Sequence, residues 1–147
     1  MVTQAQQNFI TQLAIAAKGT ILEGKTKEIF QGITQSARVN NLSLEAQQRA
    51  YTAVTQIIYK GVVQQEELRG QLSEALPQSV QIFARALHVT PQELNKSIES
   101  GQIGLLELLK FAQQLSKESS AVDAVFSRFT ASVLRLLAAI KTALKSF

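Results

Sequence analysis

The chain has 147 residues, no cysteine and a single histidine, His88. Thiolate zinc sites, iron–sulfur clusters, redox pairs and cysteine nucleophiles are excluded, and so is any metal site that needs several histidines. Tryptophan is absent, and only two prolines and seven glycines interrupt the chain. Apolar runs such as Leu136 to Ile140 are far shorter than the roughly 18 residues a membrane-spanning helix needs. Met1 to Phe9 lacks the basic start, apolar run and small-residue cleavage site of a signal peptide. Neither sign of charge dominates: fifteen Lys and Arg against eleven Asp and Glu give +4, short of a dedicated nucleic-acid binder.

What is present is apolar material, 46% of the residues against 18% charged, in a chain the size of one domain. A chain of this length buries roughly 70% of the surface it would expose unfolded, enough for a core without staples. Apolar residues recur at spacings of three and four almost throughout, which predicts an all-α fold. The expected architecture is a compact domain of short helices followed by a long amphipathic C-terminal helix.

A first helix from Thr3 to Ala17 carries Phe9, Ile10, Leu13 and Ala17 on one stripe and stops at Gly19. A second, Lys25 to Arg38, turns Ile29, Phe30, Ile33 and Ala37 inward before Asn40 and Asn41 break it. Ser43 is the N-cap of a third helix to Lys60, with Ala50, Val54, Ile57 and Ile58 inward and Gly61 as its stop. A helix from Gln64 to Leu76 comes next, then Pro77 at the first turn of a helix to Leu87. Thr90 and Pro91 form a cap and first-turn pair for a short helix to Ser100, closed by Gly101. Another short helix after Gly104 carries Leu105, Leu108, Leu109, Ala112 and Leu115, and the last and longest runs from about Ser120 to Lys145. These spacings divide the chain into a domain over 1–119 and a helix over 120–147.

An ordered set of residues runs through the middle: Gln56 to Gly61, Glu66 to Arg69, Gln71 with Leu72, Ala75 to Pro77, Val89 with Thr90, Glu93 with Leu94, and Gly101. In order and spacing it resembles the N-terminal helical domain of bacteriophage tail tape measure proteins, most strongly over 42–118. Gln78 and His88 stand where that pattern has glycine, departures that bear on the local backbone. The resemblance implies a non-enzymatic structural protein, phage- or prophage-encoded, that works in the tail tube lumen, templates tube assembly and sets tail length. It implies tail tube and tail assembly chaperone proteins as partners, and a location in the virion tail after assembly in the host cytoplasm. Even a fully helical 147-residue chain would reach only about 220 Å, so a segment of a longer protein or a prophage remnant is expected rather than a complete ruler.

Glu66, Glu67 and Arg69 fall in the first turns of a helix, where acids complement the positive dipole end, and Glu67 and Arg69 are expected on a solvated face. The alternative to a tape measure segment is a free-standing helical adaptor or a DNA-binding regulator, since Phe83, Ala84 and Leu87, the Val89 to Pro91 turn, and Leu94 with Ile98 imitate a helix-turn-helix. Glu93, Lys96 and Glu99 give that second helix a net of −1, the wrong sign for phosphates, so no specific nucleic acid is expected. His88, at a turn with no triad partners in pattern, is expected to serve a helix end. Neither a phosphate-cradling glycine loop nor a Glu-x-x-His pattern occurs, so no catalytic residue, cofactor or metal is assigned.

The last helix carries the candidate site. Val122, Phe126, Phe129, Val133, Leu136, Ile140, Leu144 and Phe147 succeed one another at intervals of three or four and form an apolar seam. Phe126, Phe129, Val133, Leu136, Ile140 and Leu144 are the candidate residues for self-association, as a homo-oligomer, or for packing. Arg128, Arg135, Lys141 and Lys145 lie off the seam and, with Asp123, give this helix +3 of the total charge. A basic amphipathic helix on a membrane surface is the third and least expected use.

Overall fold

The computed structural model describes residues 2–145, without the side chains of Phe126, Ser127 and Thr130. The fold is all-α, and no strand occurs among the described residues. Its first three helices begin and end as their local chemistry dictates. In α1 (Gln4–Ala17) the Thr3 hydroxyl accepts from the Gln6 N–H at 3.1 Å while the Gln6 side chain accepts from the Thr3 N–H at 3.0 Å, a reciprocal cap. α2 (Thr26–Val39) comes next, and α3 (Leu44–Lys60) opens on the Ser43 hydroxyl and closes at Gly61, whose φ of +75° lets its N–H reach back to Ile57 and Ile58. Phe9 of α1 stacks on Tyr51 of α3 with ring centroids 4.0 Å apart, which locks this corner of the core. Ile10, expected on the same stripe, is instead exposed: it is one residue beyond Phe9, so it points about 100° away from it.

The Gln64 to Leu76 segment is helical but not an α-helix throughout. A π-helical stretch, π1 (Glu66–Leu72), leads into a single α turn, α4 (Ser73–Ala75). The Ser73 N–H bonds back five residues to the Leu68 carbonyl, which also accepts from the Ser73 hydroxyl at 2.6 Å. The wider turn brings residues five apart onto one side, so Glu67 joins Leu68 and Leu72 in the interior. Glu67 is therefore not on a solvated face: its side chain is 1% exposed, and its Oε2 accepts from the Lys60 ammonium at 2.9 Å. Glu67 Oε1 is buried without a hydrogen-bond partner.

Pro77 does not open the next helix. α5 (Ser79–Leu87) starts two residues later, behind Gln78 at φ +63°, and ends at His88 at φ +57°. At both places a non-glycine residue holds the left-handed backbone that glycine adopts most readily, so the turn geometry survives the side-chain change. His88 serves the helix end through its backbone N–H, which donates to the Ala84 and Arg85 carbonyls. α6 (Pro91–Glu99) has Pro91 in its first turn and a reciprocal Thr90–Glu93 cap. An isolated backbone bridge between Val62 and Gly104, with the Val63 N–H 2.8 Å from the Ile103 carbonyl, ties the start of the last helix to the end of α3.

The two C-terminal helices expected from the sequence are one. α7 (Leu105–Lys145) runs 41 residues, about 60 Å, without a break. The Ser116 to Ser120 stretch, where the spacing places a boundary, holds no glycine or proline, and serine alone lowers helix propensity by too little to end a helix whose inner face is packed. Leu108, Leu109, Phe111, Ala112 and Leu115 are buried, with α2 and α5 against them. Gly32 of α2 makes the close approach possible: a Cβ there would stand 2.2 Å from the Ala112 carbonyl oxygen. Phe111 stacks on Phe83 of α5 at 4.7 Å. Among the described residues the last buried one in α7 is Ser119, and nearly every described residue beyond it is exposed.

Candidate interaction surface

The seam of α7 is a heptad pattern that begins well before Ser120. Leu105, Ala112 and Ser119 fall at a positions and Leu108 and Leu115 at d. The same register continues through Phe126, Val133 and Ile140 at a and Val122, Phe129, Leu136 and Ala143 at d. In the proximal half these positions are covered. In the distal half Val122, Phe129, Val133, Leu136 and Ile140 are exposed, Phe129 to 66%. Of the residues singled out in the sequence, Leu144 is 68% exposed, at the e position next to the seam. The Phe126 side chain and the whole of Phe147 lie outside the described residues.

Two kinds of contact fix where the covered half sits. On the e edge, facing α2, Arg38 pairs with Asp123, and Gln113 at the neighbouring b position donates to Glu28 at 3.1 Å. On the g edge, facing α5, Phe111 meets Phe83 and Glu118 accepts two bonds from Arg85, at 2.9 Å from Nε and 2.6 Å from Nη2. This forked pair holds the Glu118 carboxyl below the ordinary glutamate range, helped by a bond from Gln114 and opposed by partial burial. The Arg85 guanidinium is raised by the same hydrogen bond. The proximal half is thus gripped along both edges of its apolar face, by α2 on one and α5 on the other.

Past the ends of those supports the face stays wide. Leu137 and Leu144 lie on the e edge and Val125 and Ala139 on the g edge, all exposed. Ala121, Val122, Val125 and Phe129 line a wholly apolar concavity next to the crevice where α2, α5 and α7 meet. Arg128, Arg135, Lys141 and Lys145 occupy the outward c, b and f positions, so the basicity lies outside the apolar face. Spacing alone shows the seam. It does not show the e and g flanks, the Gly32 approach or buried Glu67, although glycine inside the apolar-periodic α2 is a signal for close packing.

Among the described residues, no three His, Asp or Glu side chains converge as a metal site, and no helix is long and apolar enough to cross a membrane. What the chain offers is a surface of helix-packing type. Comparison with known proteins agrees in character: the family model for tape measure protein matches residues 3–147. The chain belongs to the tape measure protein family. A probable tape measure protein of Salmonella phage Felix O1 (isolate Felix O1-VT1) is 32% identical over 119 residues, which cover 78% of this chain. The matched region spans only 16% of that relative. No solved structure matches the chain. Helical packing surfaces and family therefore agree on a phage tail tape measure-like module, of a family that is structural rather than catalytic.

Proposed function

We propose that this tape measure module is non-enzymatic and acts in phage tail assembly and tail length determination, with residues 1–119 as a folded domain and 120–147 as its assembly element. The observation that carries the reading is the family match over 3–147 together with an exposed apolar face on the distal half of α7. In this reading the tail tube and tail assembly chaperones are its partners, the virion tail is its final location, and the distal seam of Phe126, Phe129, Val133, Leu136, Ile140 and Leu144 joins copies of the chain. α7 spans about 60 Å, so the contribution to length comes through joining and anchoring rather than through the reach of this helix.

The test is genetic and structural. In a phage that carries this gene, in-frame removal of codons 120–147 is expected to abolish tails or leave them aberrant in length by electron microscopy. Tails of normal number and length overturn the assembly role of the helix, and absence of the chain's peptides from purified virions overturns its place in the tail.

A further inference from the structure

Residues 1–17 contain neither an acid nor a base, whereas protein surfaces ordinarily mix charged side chains throughout. Where α1 lies against α3 the two helices leave an open groove of about 550 Å³, within the range of small-ligand sites, and none of the residues lining it is charged. We infer that this groove binds a neutral oligosaccharide, a role independent of the distal half of α7.

The walls repeat one kind of chemistry. Gln48, Thr52 and Gln56 stand four residues apart on α3, a stripe with steps of about 6 Å, and Asn8 and Gln12, also four apart, face them from α1. Among the described residues, Gln12, Gln48, Thr52 and Gln56 make no side-chain hydrogen bond within the chain. Asn8 accepts one from Gln4 at 2.9 Å on its Oδ1 and keeps its amino group free. The floor is fixed: Phe9 stacks on Tyr51, whose hydroxyl is engaged with Thr34 at 3.1 Å. Tyr59 stands at the far end of the α3 stripe with its side chain 61% exposed. From Gln48 to Tyr59 the groove runs about 16 Å, long enough for more than one ligand unit.

Each amide offers a donor and an acceptor together, and each hydroxyl serves as either, so the walls match a ligand whose own groups do both and recur along a chain. Sugar hydroxyls have that character, and the apolar C–H face of a pyranose ring can lie flat on an exposed tyrosine ring. Other classes fit worse. Phosphates and carboxylates find no Arg or Lys in the lining, and cationic ligands find no acid. A wholly apolar ligand would strand the amides it covers. An extended peptide draws its specificity from separate pockets for alternate side chains, whereas this lining forms one continuous channel.

Titration of the 147-residue chain with maltohexaose, laminarihexaose and the N-acetylglucosamine hexamer, followed by nitrogen-edited NMR, tests this directly. Both tyrosines of the chain, Tyr51 and Tyr59, line the groove and tryptophan is absent, so tyrosine fluorescence reports the same event. At least one of the sugars is expected to bind with a Kd of about 1 mM or below and to shift the side-chain amide signals of Gln12, Gln48 and Gln56. That affinity holds from about 50 to about 500 mM salt, since no charge takes part. Tyr59→Ala, and Gln12→Ala with Gln56→Ala, each weaken binding about tenfold at an unchanged Tm, because these side chains are exposed. No binding of any of the three at about 10 mM, shifts confined to residues outside the groove, or an affinity that survives both variants overturns the site. Binding that falls steeply with salt, or a glycine–serine decapeptide that binds as tightly as the sugars, overturns its specificity for a neutral saccharide.

Discussion

The proximal and distal halves of α7 carry the same heptad spacing in one unbroken helix, yet Leu108, Ala112 and Leu115 are buried while Phe129, Val133 and Leu136 stand in solvent. The spacing of apolar residues does not separate them. The proximal half is met by Gly32 of α2, which admits its backbone, and by Phe83 and Arg85 of α5, which grip its other edge. The distal half has the pattern without the neighbours. An amphipathic helix therefore states that a face must be covered, and the rest of the fold decides where that cover comes from.

The comparison is broken most forcefully by trading aromatic for alanine in each half. Phe111→Ala removes a fully buried ring stacked on Phe83 and is expected to cost about 3–5 kcal/mol in chemical denaturation. Phe129→Ala, on the exposed half, is expected to change domain stability by less than about 0.5 kcal/mol at concentrations where the chain is monomeric. Equal losses would mean that the distal half is packed on its own domain.

Next in size is Gly32→Ala. Its new Cβ meets backbone, the Ala112 carbonyl oxygen at 2.2 Å and carbon at 2.9 Å, so α2 and α7 must part. The expected cost is about 2–3 kcal/mol, or on the order of 10 °C in Tm by calorimetry. Gly70→Ala is the control, because nothing lies within 4 Å of a Cβ there. A Gly32→Ala chain that melts like the Gly70→Ala chain would show that the proximal grip is loose.

A smaller effect sharpens the picture of the g edge. Glu118 has a lowered pKa, so its pair with Arg85 stabilises the fold above the ordinary glutamate value of 4.5 and loses that contribution as pH falls through the lowered value. The raised pKa of Arg85 contributes at every pH below the ordinary arginine value, so the guanidinium is charged across that window and the acid dependence belongs to Glu118. Glu118→Gln is expected to cost about 0.5 kcal/mol at neutral pH, since the pair is partly solvated, and to flatten the loss of Tm on acidification. An unchanged slope of Tm from about pH 5 down to about pH 3, where carboxylates titrate, would place the acid sensitivity elsewhere.

The smallest expected effect is a gain. His88→Gly relieves a left-handed residue at the end of α5, offset by the greater freedom of glycine in the unfolded chain, for a net stabilisation of about 0.5 kcal/mol by urea titration. A loss of stability would show that the imidazole does more at this helix end than occupy the turn.

Much of the fold is legible in the sequence because its signals are local. Thr3, Ser43 and Thr90 are caps because a side-chain oxygen can satisfy a backbone N–H two or three residues on, and Gly61 stops α3 because it tolerates positive φ. The differences fall where distant packing overrides local preference. Serines near 119 suggest a boundary, but the inner face of α7 is held by two other helices across it. Glu67 carries the charge of a surface residue, and only the π turn and the Lys60 ammonium explain its burial. The candidate seam is readable from period alone, whereas its e and g flanks gain meaning once α2 and α5 mark which edge each occupies.

By itself the sequence determined the all-α class, the caps, the apolar seam, the basic outer face of the last helix and the resemblance to tape measure proteins. All of these depend on residues a few positions apart or on their order. Tertiary structure alone decided that two expected helices are one, that Gly32 is a point of backbone contact, and that the seam divides into a covered and an uncovered half. Those facts depend on which helix lies beside which, and helical periodicity is blind to that: it fixes the direction of an apolar face but not the identity of the surface that meets it.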